Sequence, residues 1–279
     1  MAVKIVTDSM ADLPPRVVGE LGITVIPINI HFGTEVYRDG IDITTEEFYE
    51  KLDRRKNFPT TSAPSPGIFA ETYDKAAEDT DEILVITLSS KLSVLYEVAL
   101  QSVELMKREC HVEILDSQLA IMAQGFVVMK AARAAQEEAR LDEVMEVARR
   151  NIDRTQTRST FDTLEYLRRG GRIGLTKAFV GSMLHVHPLM GMKDGVVQSF
   201  GRVHTRSKAI DYLYEFAMSY SNIEELAVAY YNAVDDAEVL IDWLNVKFPK
   251  ERVYRSRTSP VMGAHTGPNG LMIVVMGDK

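Results

Sequence analysis

Short β-branched runs separated by stretches of helical periodicity are what most restrict the fold of this chain. Val3 to Val6, Thr24 to Ile30, Ile83 to Thr87 and Val112 to Leu115 read as strands, because brief runs rich in Val and Ile suit a pleated, buried surface. Between them, Pro14 to Leu21, Thr45 to Leu52, Ile68 to Ala77 and Ser93 to Met106 repeat apolar residues at helical spacing, several behind a Ser, Thr or Pro start signal. Strand and helix in alternation imply an α/β fold with a mostly parallel sheet and flanking helices. Leu119 to Asn151 then reads as two helices broken near Arg140 and Leu141.

At 279 residues the chain exceeds the size at which a single core grows comfortably, so two lobes are expected. The division falls after the long helical stretch, giving an N-terminal α/β domain over 1–155 and a second α/β domain over 156–279. The second half reads as a helix from Asp162 to Arg169, strands from Val186 to Met192 and Val196 to Val203 hinged at Gly195, and a helix from Lys208 to Tyr220. A strand from Leu226 to Tyr231, a helix from Asp235 to Val246 and a terminal strand from Leu271 to Met276 complete it.

The formal charge of −8 argues against a nucleic-acid backbone or an anionic membrane as the main partner. Cys110 is the only cysteine, which excludes an intrachain disulfide and a thiolate metal centre. The N-terminal apolar run Val3 to Val6 is too short for a signal peptide, and no later stretch is long enough to span a bilayer. A cytoplasmic protein is the expectation.

Chemistry is expected in the polar loops at strand ends. Thr7-Asp8-Ser9 follows the first strand and reads as a cap or as a support for a neighbouring loop. Thr60 to Gly67 sets four hydroxyls among two prolines, and Thr87 to Ser93 carries three serines into a helix that needs only one for capping. Hydroxyls and unpaired N–H groups at a helix start favour a carboxylate or phosphate. Pro260 to Gly270 places His265 in what reads as a tight loop between Gly263 and Gly267, a setting poorly explained by core packing. The other histidines, His31, His111, His185, His187 and His204, read as packed or exposed. Leu167 to Gly174 combines Arg168, Arg169 and Arg172 with paired glycines, more than a helix end requires, and reads as an exposed basic site. The P-loop, nucleophile-elbow, zinc-protease and Cys-x-x-Cys signatures are absent.

Together these segments, with Asp116-Ser117 and Arg206-Ser207-Lys208-Ala209, closely resemble the DegV family of fatty-acid-binding proteins, which includes the carrier subunits of bacterial fatty-acid kinases. The resemblance runs in order through Thr61-Ser62-Ala63-Pro64-Ser65, Leu88 to Ser93 and Gly263 to Pro268. It implies a two-lobed fold holding one long-chain fatty acid between the lobes, with no cofactor. Thr61, Ser93 and His265 fall on the family's carboxylate-binding positions, with Ser62 and Thr266 beside them. Arg172 and Arg206 match arginines associated with docking of a kinase partner, which would phosphorylate the bound acid. The resemblance thus implies a lipid carrier in phospholipid metabolism rather than an enzyme, one that allows transient contact with a membrane surface. The alternative is an enzyme acting on a small carboxylated or phosphorylated metabolite, with His265 as acid or base.

This chain departs from the family pattern around the expected tail. Ser93-Val94-Leu95-Tyr96 stands where Ser-Gly-Thr-Tyr is usual, Ile121 and Ala123 stand for Ser and Gly, and His187 and His204 stand where basic residues are common. Met10, Met122, Met183 and Met262 are candidates for lining an adaptable tunnel.

Overall fold

The computed structural model describes residues 2–54, 58–174 and 186–279. Its first sheet is wholly parallel, in the order β2-β1-β6-β7, from β1 (Lys4–Asp8), β2 (Thr24–Ile26), β6 (Glu82–Thr87) and β7 (His111–Asp116). Ile83, Leu84, Val85 and Ile86 of β6 are at most 1% exposed, as expected of a strand covered on both faces. Helices α3 (Pro66–Ala76) and α4 (Leu95–Val103) contact the sheet strands β2, β6 and β7, while α5 (Ile121–Gln136) and α6 (Leu141–Asp153) also pack on it.

Pro27 divides the expected strand Thr24 to Ile30. After β2 the chain leaves the first sheet, and β3 (Asn29–Phe32) forms an antiparallel three-stranded sheet with β4 (Glu35–Arg38) and β5 (Thr60–Ser62). Proline cannot donate to a ladder, so this is where a switch of sheet disrupts least. Helix α2 (Thr45–Arg54) lies between β4 and β5 in the chain.

The third sheet is six-stranded and mixed, in the order β10-β9-β8-β13-β11-β12. It comprises β8 (Thr155–Thr160), β9 (His187–Lys193), β10 (Val196–Val203), β11 (Asn222–Tyr230), β12 (Tyr254–Arg257) and β13 (Leu271–Asp278), and only the β11–β12 pair is parallel. Helices α8 (Arg206–Met218) and α9 (Val234–Leu244) pack against it, as does α5. α5 therefore sits between the two larger sheets, and its run from Ile121 to Met129 is buried without interruption. A helix apolar on all sides belongs in an interior. One buried cluster accordingly runs from Ile5 and Val6 of β1 through Phe126 of α5 to Val274 of β13. Among the described residues no helix is long and apolar enough to cross a membrane.

Two expectations need correction. Pro260 to Gly270 is not a simple loop, because Pro260–Thr266 forms a helix, α10, whose N-cap Ser259 accepts from the Met262 N–H. Thr60 to Gly67 is not wholly a loop either, since Thr60–Ser62 is β5. In both, Pro and Gly obscured short regular elements held by tertiary contacts.

Candidate functional site

The carboxyl ends of β1, β6 and β7 carry a set of loops tied together by two carboxylates, buried Asp8 and half-buried Asp116. Asp8 accepts from the N–H of Met10 at 3.1 Å, from that of Leu88 at 2.8 Å and from the Gln124 amide at 3.2 Å. Asp116 accepts from the Ser90 N–H and hydroxyl at 3.1 and 2.5 Å. Burial still raises Asp8 to about 6 despite its donors, because desolvation opposes the charged form. Ser89 donates to the Gly195 carbonyl at 2.7 Å and Lys91 to that of Asp194 at 2.7 Å, fastening this loop to the β9–β10 hairpin of the other sheet. Asp8 therefore both caps the short turn after β1 and supports the next loop.

Two of the three serines in the loop are thus committed to holding it. Ser93 is not: among the described residues its Oγ only accepts a long 3.4 Å contact from the Leu95 N–H, leaving the hydroxyl proton available. Ser93 lines a cavity of about 470 Å³ together with Thr61, Ser62, Arg172, His265 and Thr266, a size typical of small-molecule sites, which span about 300–1,000 Å³. Five expected ligand-contact residues, drawn from three separate stretches of sequence, are therefore brought to one cavity.

His265 sits in the last turn of α10, 8% exposed, with Nε2 2.9 Å from the Thr61 hydroxyl on β5. Its Nδ1 is buried without a hydrogen-bond partner. Burial first, and the charge of Arg172 second, lower its pKa to about 4, so the ring is neutral at neutral pH. The position depends on Gly170, where a Cβ would stand 2.5 Å from His265 Nδ1, and on Gly263, where one would stand 2.5 Å from the Tyr49 hydroxyl. These close approaches are the physical reason for glycines on both sides of the ring.

The remaining expected residues differ in how free they are. Thr266 is buried, and its hydroxyl donates to the Met262 carbonyl at 2.9 Å. Ser62 is exposed and pairs with His31 Nε2 at 2.8 Å. Arg172 corrects the expectation of an exposed basic residue: it is half-buried in the cavity wall, donating to the carbonyls of Leu92 at 3.1 Å and Gly170 at 2.6 Å. Its planar fork ties the serine loop to the turn after α7 (Glu165–Arg169). Arg206 lies at the start of α8, held by Asp236 at 2.7 Å and facing Asp162 at 3.6 Å.

Away from this corner the wall is largely apolar. Met10, Ile28, Ala120, Ile121, Val261 and Met262 contribute, and Met192 and Met272 join them although sequence patterning did not single them out. Of the four methionine candidates, Met122 is buried outside the lining and Met183 lies outside the described residues. Ile121 holds φ at 53°, a left-handed conformation that costs a β-branched residue about 1–3 kcal/mol. Val94 lines the cavity while 61% exposed, which places it at the mouth. Sequence reading missed β8 altogether; its Thr157 and Ser159 also line the cavity. Among the described residues, no group of three His, Cys, Asp or Glu side chains could hold a metal ion.

Known proteins share the shape of this chain. A DegV family protein from Thermus thermophilus, described for its fatty-acid binding, superposes with a TM-score of 0.90 at 31% identity, covering 99% of this chain and 100% of its own. DegV of Bacillus subtilis, described as a fatty acid binding protein, does so with a TM-score of 0.90 at 29% identity and 99% coverage of both chains. A DegV domain-containing protein of Streptomyces coelicolor is 37% identical over 277 residues, 98% of each chain. The family model described as "Uncharacterised protein, DegV family" matches residues 2–277. With fold, length and sequence in agreement from end to end, the chain belongs to the DegV family.

Proposed function

We propose that this protein binds one long-chain fatty acid in the 470 Å³ cavity, with the carboxylate at Thr61, Ser93 and His265, and presents it to a separate ATP-dependent kinase for acyl-phosphate formation. The observation that carries this reading is the pairing of an uncommitted Ser93 hydroxyl and the Thr61–His265 pair with a largely apolar chamber. A fatty acid asks for a few donors at one end and dry surface for the rest, each buried CH₂ contributing about 0.8 kcal/mol before the costs of association. The fatty acids attributed to the Thermus and Bacillus proteins support the same ligand class. Ser62 and Thr266 flank the head group, the latter as a brace for α10.

The carrier reading also fits the state of His265. A ring that is neutral at pH 7, with no carboxylate orienting Nδ1, suits a hydrogen-bonding role better than a proton relay. In this proposal Arg206 and the outer edge of Arg172 face the kinase, the lobes divide near residue 155, and the carrier works in the cytoplasm, touching membranes only transiently. Organic extraction of the purified protein followed by mass spectrometry tests the ligand. A stoichiometric fatty acid is expected; an empty extract, with no uptake of added palmitate or oleate, would refute the reading.

A further inference from the structure

β8 is an interior strand built without a single aliphatic side chain, Thr-Gln-Thr-Arg-Ser-Thr, yet five of its six residues are buried. Side chains alternate across a sheet, and the contacts of β8 show which way each set faces. Arg158 hydrogen-bonds Tyr212 of α8 at 3.2 Å and lies over the ring of Phe216, also on α8. Thr157 and Ser159 take the opposite face and line the cavity. Thr157 is 5% exposed and Ser159 4%. Among the described residues, the buried side-chain polar atoms without a hydrogen-bond partner include two in the cavity wall, Thr157 Oγ1 and His265 Nδ1.

Those two atoms sit at different depths. β8 runs into Phe161 and then α7, whose following Gly170 abuts His265. Phe161, Ser159 and Thr157 therefore recede from the head-group corner in that order, with Thr157 about 13 Å beyond Phe161 at the usual strand rise of about 3.3 Å per residue. Ser159 faces Met272 across the β8–β13 ladder, and Thr157 faces Val274. A plain hydrocarbon tail laid there would leave both hydroxyls unpaired, which folded proteins avoid.

We propose that the Thr157–Ser159 wall is a second polar subsite, selecting a fatty acid that carries a hydroxyl or keto oxygen partway along its chain. This rests on the fatty-acid reading of the cavity and names the class of chain within it. An oxygen on the tail can accept from one wall hydroxyl and, where it is itself a hydroxyl, donate to the other, so the hydrogen bonds to water that it gives up on entry are replaced and the wall hydroxyls are paired. Selection then comes from a deep hydrogen bond, the interaction that discriminates most sharply in a dry site.

The test compares stearate with its 8-, 10- and 12-hydroxy derivatives by calorimetry on delipidated protein. At least one hydroxy isomer is expected to bind on the order of tenfold more tightly than stearate, the worth of one net hydrogen bond. The Thr157→Val, Ser159→Ala double variant should bring the two acids within about twofold of each other. Thr157→Ser, which keeps the hydroxyl, should retain the preference and guards against misfolding as the cause. Equal affinity for stearate and every hydroxy isomer overturns the subsite while leaving the fatty-acid reading intact, as does a preference that survives in the double variant. If none of the acids, stearate included, binds, both readings are overturned.

Discussion

The parallel sheet and the six-stranded sheet divide the labour of this molecule, and they differ in what their strands are made of. β6 of the first is Glu-Ile-Leu-Val-Ile-Thr, apolar through its centre, and its chemistry lies beyond its carboxyl end in Ser89 to Ser93. β8 of the second carries its polar groups within the strand, facing the cavity. One sheet is a rigid base for head-group loops; the other is itself the wall of the chamber. Stability should therefore depend on the first and ligand discrimination on the second. Leu84→Ala in β6, at a fully buried site, is expected to cost about 2–5 kcal/mol in urea unfolding, whereas Ser159→Ala in β8 should cost less than about 1 kcal/mol. Equal losses would abolish the distinction.

The same contrast explains what could be read without coordinates. β1 and β6 were legible because burial on both faces demands Val, Ile and Leu, β7 by its short apolar run Val112 to Leu115, and the site loops stood out by surplus hydroxyls and glycines. β8 was not, since its burial depends on Met190, Met272 and Val274 from distant segments, and no local pattern announces a polar strand. His265 was singled out as unusual but placed in a loop, whereas it lies in α10. Its helix exists because Gly263 and Gly267 admit Tyr49 and Tyr166 at close range, a tertiary condition. Arg172 read as exposed because arginines after a helix usually are; its burial follows from the carbonyls of Leu92 and Gly170, which only the fold brings to it.

Beneath α10 lies a part of the base that is not at ease. Among the described residues the buried carboxylate oxygens of Asp12 meet no well-formed hydrogen bond, and burial, aided by the charges of Asp39 and Asp8, raises its pKa from 3.8 to about 8, with the neighbouring Ser259 N–H and hydroxyl partly opposing. A raised acid favours the protonated folded state, so its contribution to stability is complete below about pH 4 and is lost as pH rises through 8. Asp8 and Asp39, each raised to about 6, add the same sign over a lower window. Asp12→Asn should therefore stabilise the protein at pH 9 by about 2–3 kcal/mol, the scale of an unsatisfied buried group. It should do little at pH 4. Denaturant melts at the two pH values check this, and a variant destabilised equally at both would show that Asp12 is satisfied as it stands.

At the head-group corner the expected effects are of similar or smaller size. Ser93→Ala should weaken fatty-acid binding by about 1.5–3 kcal/mol, because it removes a hydrogen bond to a charged acceptor in a poorly hydrated site. Thr61→Val should weaken it comparably while also freeing His265 Nε2. Calorimetry on folded variants decides the matter. Affinity unchanged in both would move the carboxylate away from this corner and leave the apolar chamber as the only determinant of binding.

The finest test concerns His265, whose pKa is held near 4 by burial and by Arg172. As a base with a lowered pKa, it contributes stability above about pH 6.5 that is lost as pH falls through 4, opposite in sign to Asp12. A fatty-acid carboxylate beside the ring adds a negative charge that favours the imidazolium, so the ligand should raise this pKa by about one unit or more, each unit being worth about 1.4 kcal/mol. Binding then takes up protons between the free and bound midpoints, and affinity strengthens as pH falls from the bound midpoint toward the free one near 4. In an NMR titration with and without oleate, one imidazole should move upward from a midpoint near 4, and His265→Gln should abolish that movement while retaining part of the affinity through Thr61 and Ser93. If the moving resonance persists in His265→Gln, or no histidine responds to oleate, the ring only braces Thr61 and the head group is held by hydroxyls alone.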